Sequence, residues 1–258
     1  DIDQWAVQLV LASTTWFALI GLTDDYLKLY RQSSTGLAGR WKILAMLLGA
    51  CVVAWVVIIS EPIEAVQVLR LAPLDMPVFN LGSLPLLFYV FVIVGTSNAV
   101  NLTDGLDGLA IFPACVITAA LGIMIMLLPN QHNELVVICA AFCGCGLGFL
   151  WFNAYPAQIF MGDVGSLAIG SMMAILAILI HQELWFGWMS IVFVIETLSV
   201  IIQVLSFKLT NKRVFLMSPI HHHFELKGVS ESKIITRAWL ITVFMTTTAL
   251  LIIIAGCS

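Results

Sequence analysis

The run Asn98-Ala-Val-Asn101-Leu-Thr-Asp104-Gly105-Leu-Asp107-Gly108 holds two carboxamides, two carboxylates and two glycines between stretches of almost unbroken apolar sequence. Carboxylates bind cations or move protons, carboxamides anchor hydrogen-bonding ligands, and glycines let the backbone come close to whatever is bound. Three further polar clusters stand out: Asp24-Asp25, Met161-Gly-Asp163-Val-Gly165-Ser166, and Ser218-Pro-Ile-His221-His222-His223. Carboxylate oxygens suit a hard cation such as Mg²⁺, which takes one or two carboxylates and completes its shell with substrate phosphates and water. Zinc fits less well, because no Cys-x-x-Cys or His-Glu-x-x-His spacing accompanies the histidines. Phosphoryl transfer asks a protein mainly for positioning and electrostatics, so a few acids, a metal and nearby cations are sufficient equipment.

Each cluster also has a plainer reading. Asp24-Asp25 could end a helix at an interface, and Asp163 could cap the helix that follows it. Three consecutive histidines cannot all point one way, so at most two would share a site. The acids Glu61, Glu64, Asp75, Glu134 and Glu183 lack glycine or histidine company and read as solvated loop charge.

The elements that must position these residues are membrane helices. Of 258 residues, 61% are hydrophobic and only 10% charged, with a mean hydropathy of +1.04. A bilayer core about 30 Å thick needs about 20 helical residues per crossing. About eight candidate spans follow, near Trp5–Leu22, Ile43–Ile59, Leu84–Thr96, Leu109–Leu128, Leu135–Phe152, Leu167–Ile180, Trp185–Phe207 and Ala238–Ala255. The third and sixth extend into their flanks, and the seventh is long enough to tilt or break. The fold class is therefore an all-α polytopic bundle in one domain, residues 1–258, with a short hairpin outside at residues 61–83. Barrel strands would alternate apolar and polar residues, which these runs do not.

If loops alternate sides, ten of the eleven basic residues share one side and only Arg70 falls opposite. The positive-inside rule makes that side cytoplasmic. All four polar clusters, read as lying in the loops between spans, then face the cytoplasm, and this coincidence favours the chemical reading over the plainer ones. Both chain ends fall outside, and a chain that starts outside with no basic leader is expected to be preceded by further helices. The six cysteines lie in or beside apolar spans and read as small hydrophobes, not disulfides. Glu196 is near the middle of the seventh span, where an acid is costly, so it is expected to face the bundle and hydrogen-bond Thr197, Ser199, Gln203 or a neighbouring helix.

Asp24-Asp25-Tyr26, Asn98–Ala110, Phe160-Met-Gly-Asp163-Val-Gly-Ser and Pro219-Ile-His221-His222-His223-Phe-Glu225-Leu-Lys-Gly228 resemble the phospho-N-acetylmuramoyl-pentapeptide transferases, within the polyprenyl-phosphate N-acetylhexosamine-1-phosphate transferase superfamily. The triple histidine followed by Phe-Glu-Leu-Lys-Gly is specific to that branch. The resemblance implies transfer of phospho-MurNAc-pentapeptide from UDP-MurNAc-pentapeptide to undecaprenyl phosphate, giving lipid I and UMP, with Mg²⁺, at the bacterial inner membrane. It implies Asp163 as metal ligand, Asp24 as the carboxylate that orients or deprotonates the nucleophile, and Asp25 in support. Asn98, Asn101, Asp104 and Asp107 would line the nucleotide and sugar site, with Phe160 near uracil. His221, His222 and His223 would contact substrate, and Lys28, Arg40 and Lys42 would face phosphate. It also implies a homodimer, two helices ahead of this sequence and no nucleic-acid partner. One departure is Thr35, where many relatives carry lysine. The nearest alternative is a GlcNAc-1-phosphate transferase acting on the same lipid, and a remote one is an ion-coupled transporter, against which the rim position of the acids argues.

Overall fold

The computed structural model describes residues 4–33, 35–72, 76–128 and 132–257. Eleven helices and two strands occupy them: α1 (Trp5–Arg31), α2 (Gly39–Ser60), α3 (Ile63–Gln67), β1 (Val68–Leu71), β2 (Met76–Asn80), α4 (Pro85–Thr103), α5 (Ile111–Leu127), α6 (Leu135–Asn153), α7 (Gly162–Leu179), α8 (Glu183–Met189), α9 (Ile191–Thr210), α10 (Ile220–Leu226) and α11 (Glu231–Cys257). Among them α1, α2, α4, α6, α7, α9 and α11 are long and apolar enough to cross a membrane, and α5, at 17 residues, is a shorter apolar helix. In hydrocarbon every backbone polar group must be satisfied within the segment, which is why runs rich in β-branched residues still fold as helices here.

The ends follow local chemistry. Pro85 opens α4 at its first turn, where a missing N–H costs nothing. Gln32 and Asn211 close α1 and α9 in the left-handed region, at φ 47° and 55°, and Asn211 returns its N–H to the Phe207 carbonyl. The long seventh segment does break. Ser190 separates α8 from α9, and the chain runs on through the bond from the Val194 N–H to the Ser190 carbonyl. Residues 61–83 contain the expected hairpin, with β1 antiparallel to β2 in a register pairing Val68 with Asn80.

The bundle is organised around α7, in which every residue from Ser166 to Leu179 except Ile169 is buried. It packs against α1 and α4, while α5 pairs with α6 and α11, and α2 lies against α4 and α1. Two glycines set these crossings. A side chain on Gly21 of α1 would run into the backbone of Asp163 and Val164, and one on Gly170 of α7 would run into the backbone of Thr96 and Ser97 of α4. Backbones this close leave room for Ser97 Oγ to donate across to the Leu167 carbonyl at 2.9 Å.

Three expectations need correction. Asn98, Asn101 and Thr103 belong to α4, so the polar run begins on a helix and becomes a turn only at Asp104. Likewise, the histidine run forms the short helix α10 instead of a loop. Finally, of the acids expected as solvated loop charge, Glu61 and Glu134 are paired with histidines and Glu183 is buried. His132 Nε2 meets Glu61 Oε1 at 2.7 Å and His132 Nδ1 meets Glu134 Oε1 at 3.3 Å, while His181 Nε2 lies 3.7 Å from Glu61 Oε2. A histidine two residues before Glu134 and another two before Glu183 were the overlooked signal. Glu64 is exposed as expected, and Asp75 lies outside the described residues.

Candidate active site

Because α1 crosses α7 at Gly21, the next turn of α1 carries Asp24 and Asp25 over the first turn of α7, where Asp163 sits. Ligand oxygens of these three carboxylates all lie within 4.8 Å of one another. Three anions this close repel strongly, and two lysines offset the repulsion. Lys28 Nζ reaches Asp24 at 2.5 Å, Asp163 at 3.0 Å and Asp25 at 3.2 Å. Lys42, at the start of α2, reaches Asp163 at 2.7 Å. The second Asp163 oxygen accepts from Asn101 Nδ2 at 2.7 Å, and the same amide donates to Ser166 Oγ at 2.8 Å.

The acids have separate tasks. Asp163 lies inside the first turn of α7 and makes no cap. Asp25 serves that end instead, its Oδ2 accepting the Asp163 N–H at 2.8 Å and the Val164 N–H at 3.3 Å. A carboxylate at a helix N-terminus satisfies orphan donors and complements the helix dipole, so Asp25 docks α1 onto α7. Gly162, at φ 64°, has the carboxylate of Asp25 where a side chain would stand. Asp24 is the buried member of the trio. The loop after α1 folds over it, so that Leu37 N–H donates to Asp24 Oδ1 at 2.8 Å and Gly36 presses bare backbone against the carboxylate.

Two cavities meet at this centre. One, of about 870 Å³, is lined by Asp24, Lys28, Arg31, Lys42 and Trp41 together with Asn101 and Asp163. The other, of about 270 Å³, is lined by Asp104, Gly105, Asp107, Phe160 and, again, Asn101 and Asp163. Burial, then the charges of Asp163 and Asp107, push the Asp104 carboxyl up to about 7. Asp107 Oδ2 accepts the Ala157 N–H at 2.8 Å, and Phe160 stands at the rim, largely exposed.

The remaining predicted residues lie elsewhere. Asn98 donates to its own helix at Val94 and lines neither cavity. Arg40 sits over the Trp41 ring, 5.7 Å from its centroid, instead of in the cation-lined cavity. His222 Nδ1 meets Glu225 Oε2 at 2.6 Å, and His223 Nδ1 accepts the Leu216 N–H at 3.1 Å. His221 is almost wholly buried, with Nδ1 against Glu196 Oε2 at 3.0 Å, so Glu196 does find its partner on another helix. Three supports carried no signal in the sequence. Asn153 accepts the Gly108 N–H at 3.1 Å, Glu231 accepts the Asp107 N–H at 3.3 Å, and Trp239 donates to the Gly108 carbonyl at 3.0 Å.

The oxygens of Asp24, Asp25 and Asp163 are the donor set a hard divalent cation prefers, and flanking lysines suit an anionic substrate. A polytopic bundle with such a centre at one end, opening to two cavities, defines a multi-pass membrane protein equipped for phosphate-bearing substrates. Residues 7–181 match the family described as Glycosyl transferase family 4, and the chain belongs to that family. It is 48% identical over 257 residues to the phospho-N-acetylmuramoyl-pentapeptide-transferase of Vesicomyosocius okutanii subsp. Calyptogena okutanii (strain HA), the match covering 92% of this chain and 70% of the relative. It is thus a membrane phospho-sugar transferase.

Proposed function

We propose that this chain, acting as one domain, transfers phospho-MurNAc-pentapeptide from UDP-MurNAc-pentapeptide to undecaprenyl phosphate, releasing UMP and forming lipid I. The observation that carries this reading is the pair of cavities that share Asp163 and Asn101 as a common wall. The cation-lined cavity suits the lipid phosphate, with Lys28, Arg31 and Lys42 as countercharge. The smaller cavity suits the nucleotide-sugar, with Asp104 and Asp107 as hydrogen-bonding groups and Phe160 as a face for a base. An oxygen of the lipid phosphate then attacks the phosphorus nearest the sugar, and the bond from that phosphorus to the UMP oxygen breaks.

A phosphate monoester has a second pKa of about 6 and is largely dianionic at neutral pH, so it needs little help to become a nucleophile. Asp24 orients it or accepts its remaining proton. Asp163, with Asp24 and Asp25 beside it, is the group to hold Mg²⁺, which when bound supplies charge neutralisation to the diphosphate. The concentration of basic residues on this side supports a cytoplasmic site in the inner membrane, and the family resemblance supports a homodimer.

The test is to supply membranes containing this chain with undecaprenyl phosphate and Mg²⁺, then compare UMP release from UDP-MurNAc-pentapeptide and UDP-GlcNAc. Release from the first alone, with lipid I formed, is expected. Release from UDP-GlcNAc alone would move the assignment to the sister reaction, and release from neither would overturn it.

A further inference from the structure

Glu196 is a carboxylate on a membrane helix, buried and outside both cavities. Its Oε2 accepts from His221 twice, from the ring at Nδ1 (3.0 Å) and from the backbone N–H (3.4 Å). One and two turns further along α9, Ser199 and Gln203 are also buried. Gln203 Oε1 accepts the N–H groups of Val214 and Phe215, at 3.0 and 2.9 Å, and its Nε2 donates to the Phe215 carbonyl at 2.9 Å. The buried polar face of α9 therefore grips the returning chain at two places, residues 214–215 and His221.

With Nδ1 on Glu196, the His221 ring turns its other nitrogen, Nε2, toward Gly105. That Nε2 is buried and has no hydrogen-bond partner. It stands where a side chain on Gly105 would begin, and Gly105 lines the smaller cavity. Gly105, flanked by Asp104 and by Leu106-Asp107, therefore touches the imidazole on one side and lines the cavity on the other.

We propose that Glu196 is a positioning residue: acting through His221, it braces the Asp104–Asp107 turn from behind and so sets where the two carboxylates stand in the donor cavity. Gly105 is required because the brace occupies its side-chain position. Leu106 and Leu109 pack beneath the same turn on Val192, Ile234, Ile235 and Ala238, and Glu231, Asn153 and Trp239 hold Asp107 and Gly108, while the Glu196–His221 pair stands against Gly105. The assignment rests on the donor role given to the smaller cavity above.

Two measurements test it on the full chain in membranes or detergent. Hydrogen exchange needs no activity: Glu196→Ala is expected to speed exchange of the 104–109 amides at least tenfold and leave 163–170 unchanged, whereas Glu196→Gln, which keeps an acceptor at the same reach, stays within threefold of the parent. Kinetically, Glu196→Ala raises KM for the nucleotide-sugar at least tenfold, leaves KM for the lipid phosphate unchanged, and is rescued by Gln. A merely structural loss would lower the active fraction and move neither KM. If Glu196→Ala does not fold, Gly105→Ala pushes the imidazole from the other side and must give the same two signatures. Unaltered exchange at 104–109 would overturn the proposal, as would equal loss toward both substrates. A parent that exchanges as expected but transfers nothing would instead remove the proposed function and leave the brace standing.

Discussion

At the residue scale, the three clustered acids are chemically alike but differently employed. Asp163 is held by two lysines and an amide, Asp25 caps a neighbouring helix, and Asp24 is enclosed by the Gly36-Leu37 loop. Asp163→Asn and Asp24→Asn are each expected to lower transfer at least a hundredfold while thermal unfolding stays within a few degrees of the parent; near-parental rates from either would remove that residue from the reaction. Asp104 makes a pH-dependent prediction. Its carboxyl ionises near 3.8 in the unfolded chain and about 7 when folded, so between those values the folded state holds a proton that the unfolded state has lost. Stability therefore falls as pH rises through that window and is level above it. Asp104→Asn removes the penalty, and its Tm advantage over the parent should be larger at about pH 8 than at about pH 5. The clusters holding Asp24, Asp163 and Asn101 stood out because polar side chains are rare in so apolar a chain, whereas Lys42 was singled out only by the family resemblance. The division of labour among them was not, since a cap supplied by one helix to another leaves no local pattern.

At the element scale, the site depends on how closely α1 and α4 approach α7. Gly21 has no room for a side chain because the Asp163 carbonyl is already there, and backbone cannot move aside as a flexible side chain does. Gly21→Ala should therefore cost about 1–3 kcal/mol of stability and separate Asp24 and Asp25 from Asp163, lowering transfer more than tenfold. Thermal unfolding together with initial rates would check both effects, and an unchanged rate would show that the crossing tolerates the wedge. The spans themselves were readable from hydropathy, including the short third and sixth that proved to extend to Thr103 and back to Gly162. Helix ends were less readable. Asn98 to Thr103 read as part of a polar loop beyond the span, yet Asn101 reaches Asp163 because α4 stays helical to Thr103 and aims it there. An inter-helix partner can make a polar helix end favourable, and periodicity within one segment does not reveal the partner.

At the scale of the whole molecule, α1 joins two polar regions, from Trp5 packed on His132 at one end to Asp24 and Asp25 at the other. The far region is a partly buried acid–imidazole network of Glu61, Glu134, His132 and His181. Burial pushes the Glu61 carboxyl up, but the neighbouring His181 imidazole at 3.7 Å, the hydrogen bond from His132 and their charge outweigh it and hold that carboxyl below its usual range. The resulting stabilisation is fully present above the unfolded value of 4.5 and is lost as pH falls through the lower folded value. Glu61→Gln should thus lower Tm at neutral pH, with the deficit closing as pH falls below 4.5 and through the lower folded value; a deficit that persists in acid would mean the loss is one of packing and not of charge. A different consequence follows from the burial of α7. Most helices adjust their tilt when a bilayer thickens or thins around them, but α7 has almost no lipid-facing surface and meets its neighbours instead. Lipid mismatch reaches Asp163 chiefly through α1 and α4, so the clustered acids stand on a column that the surrounding membrane scarcely grips.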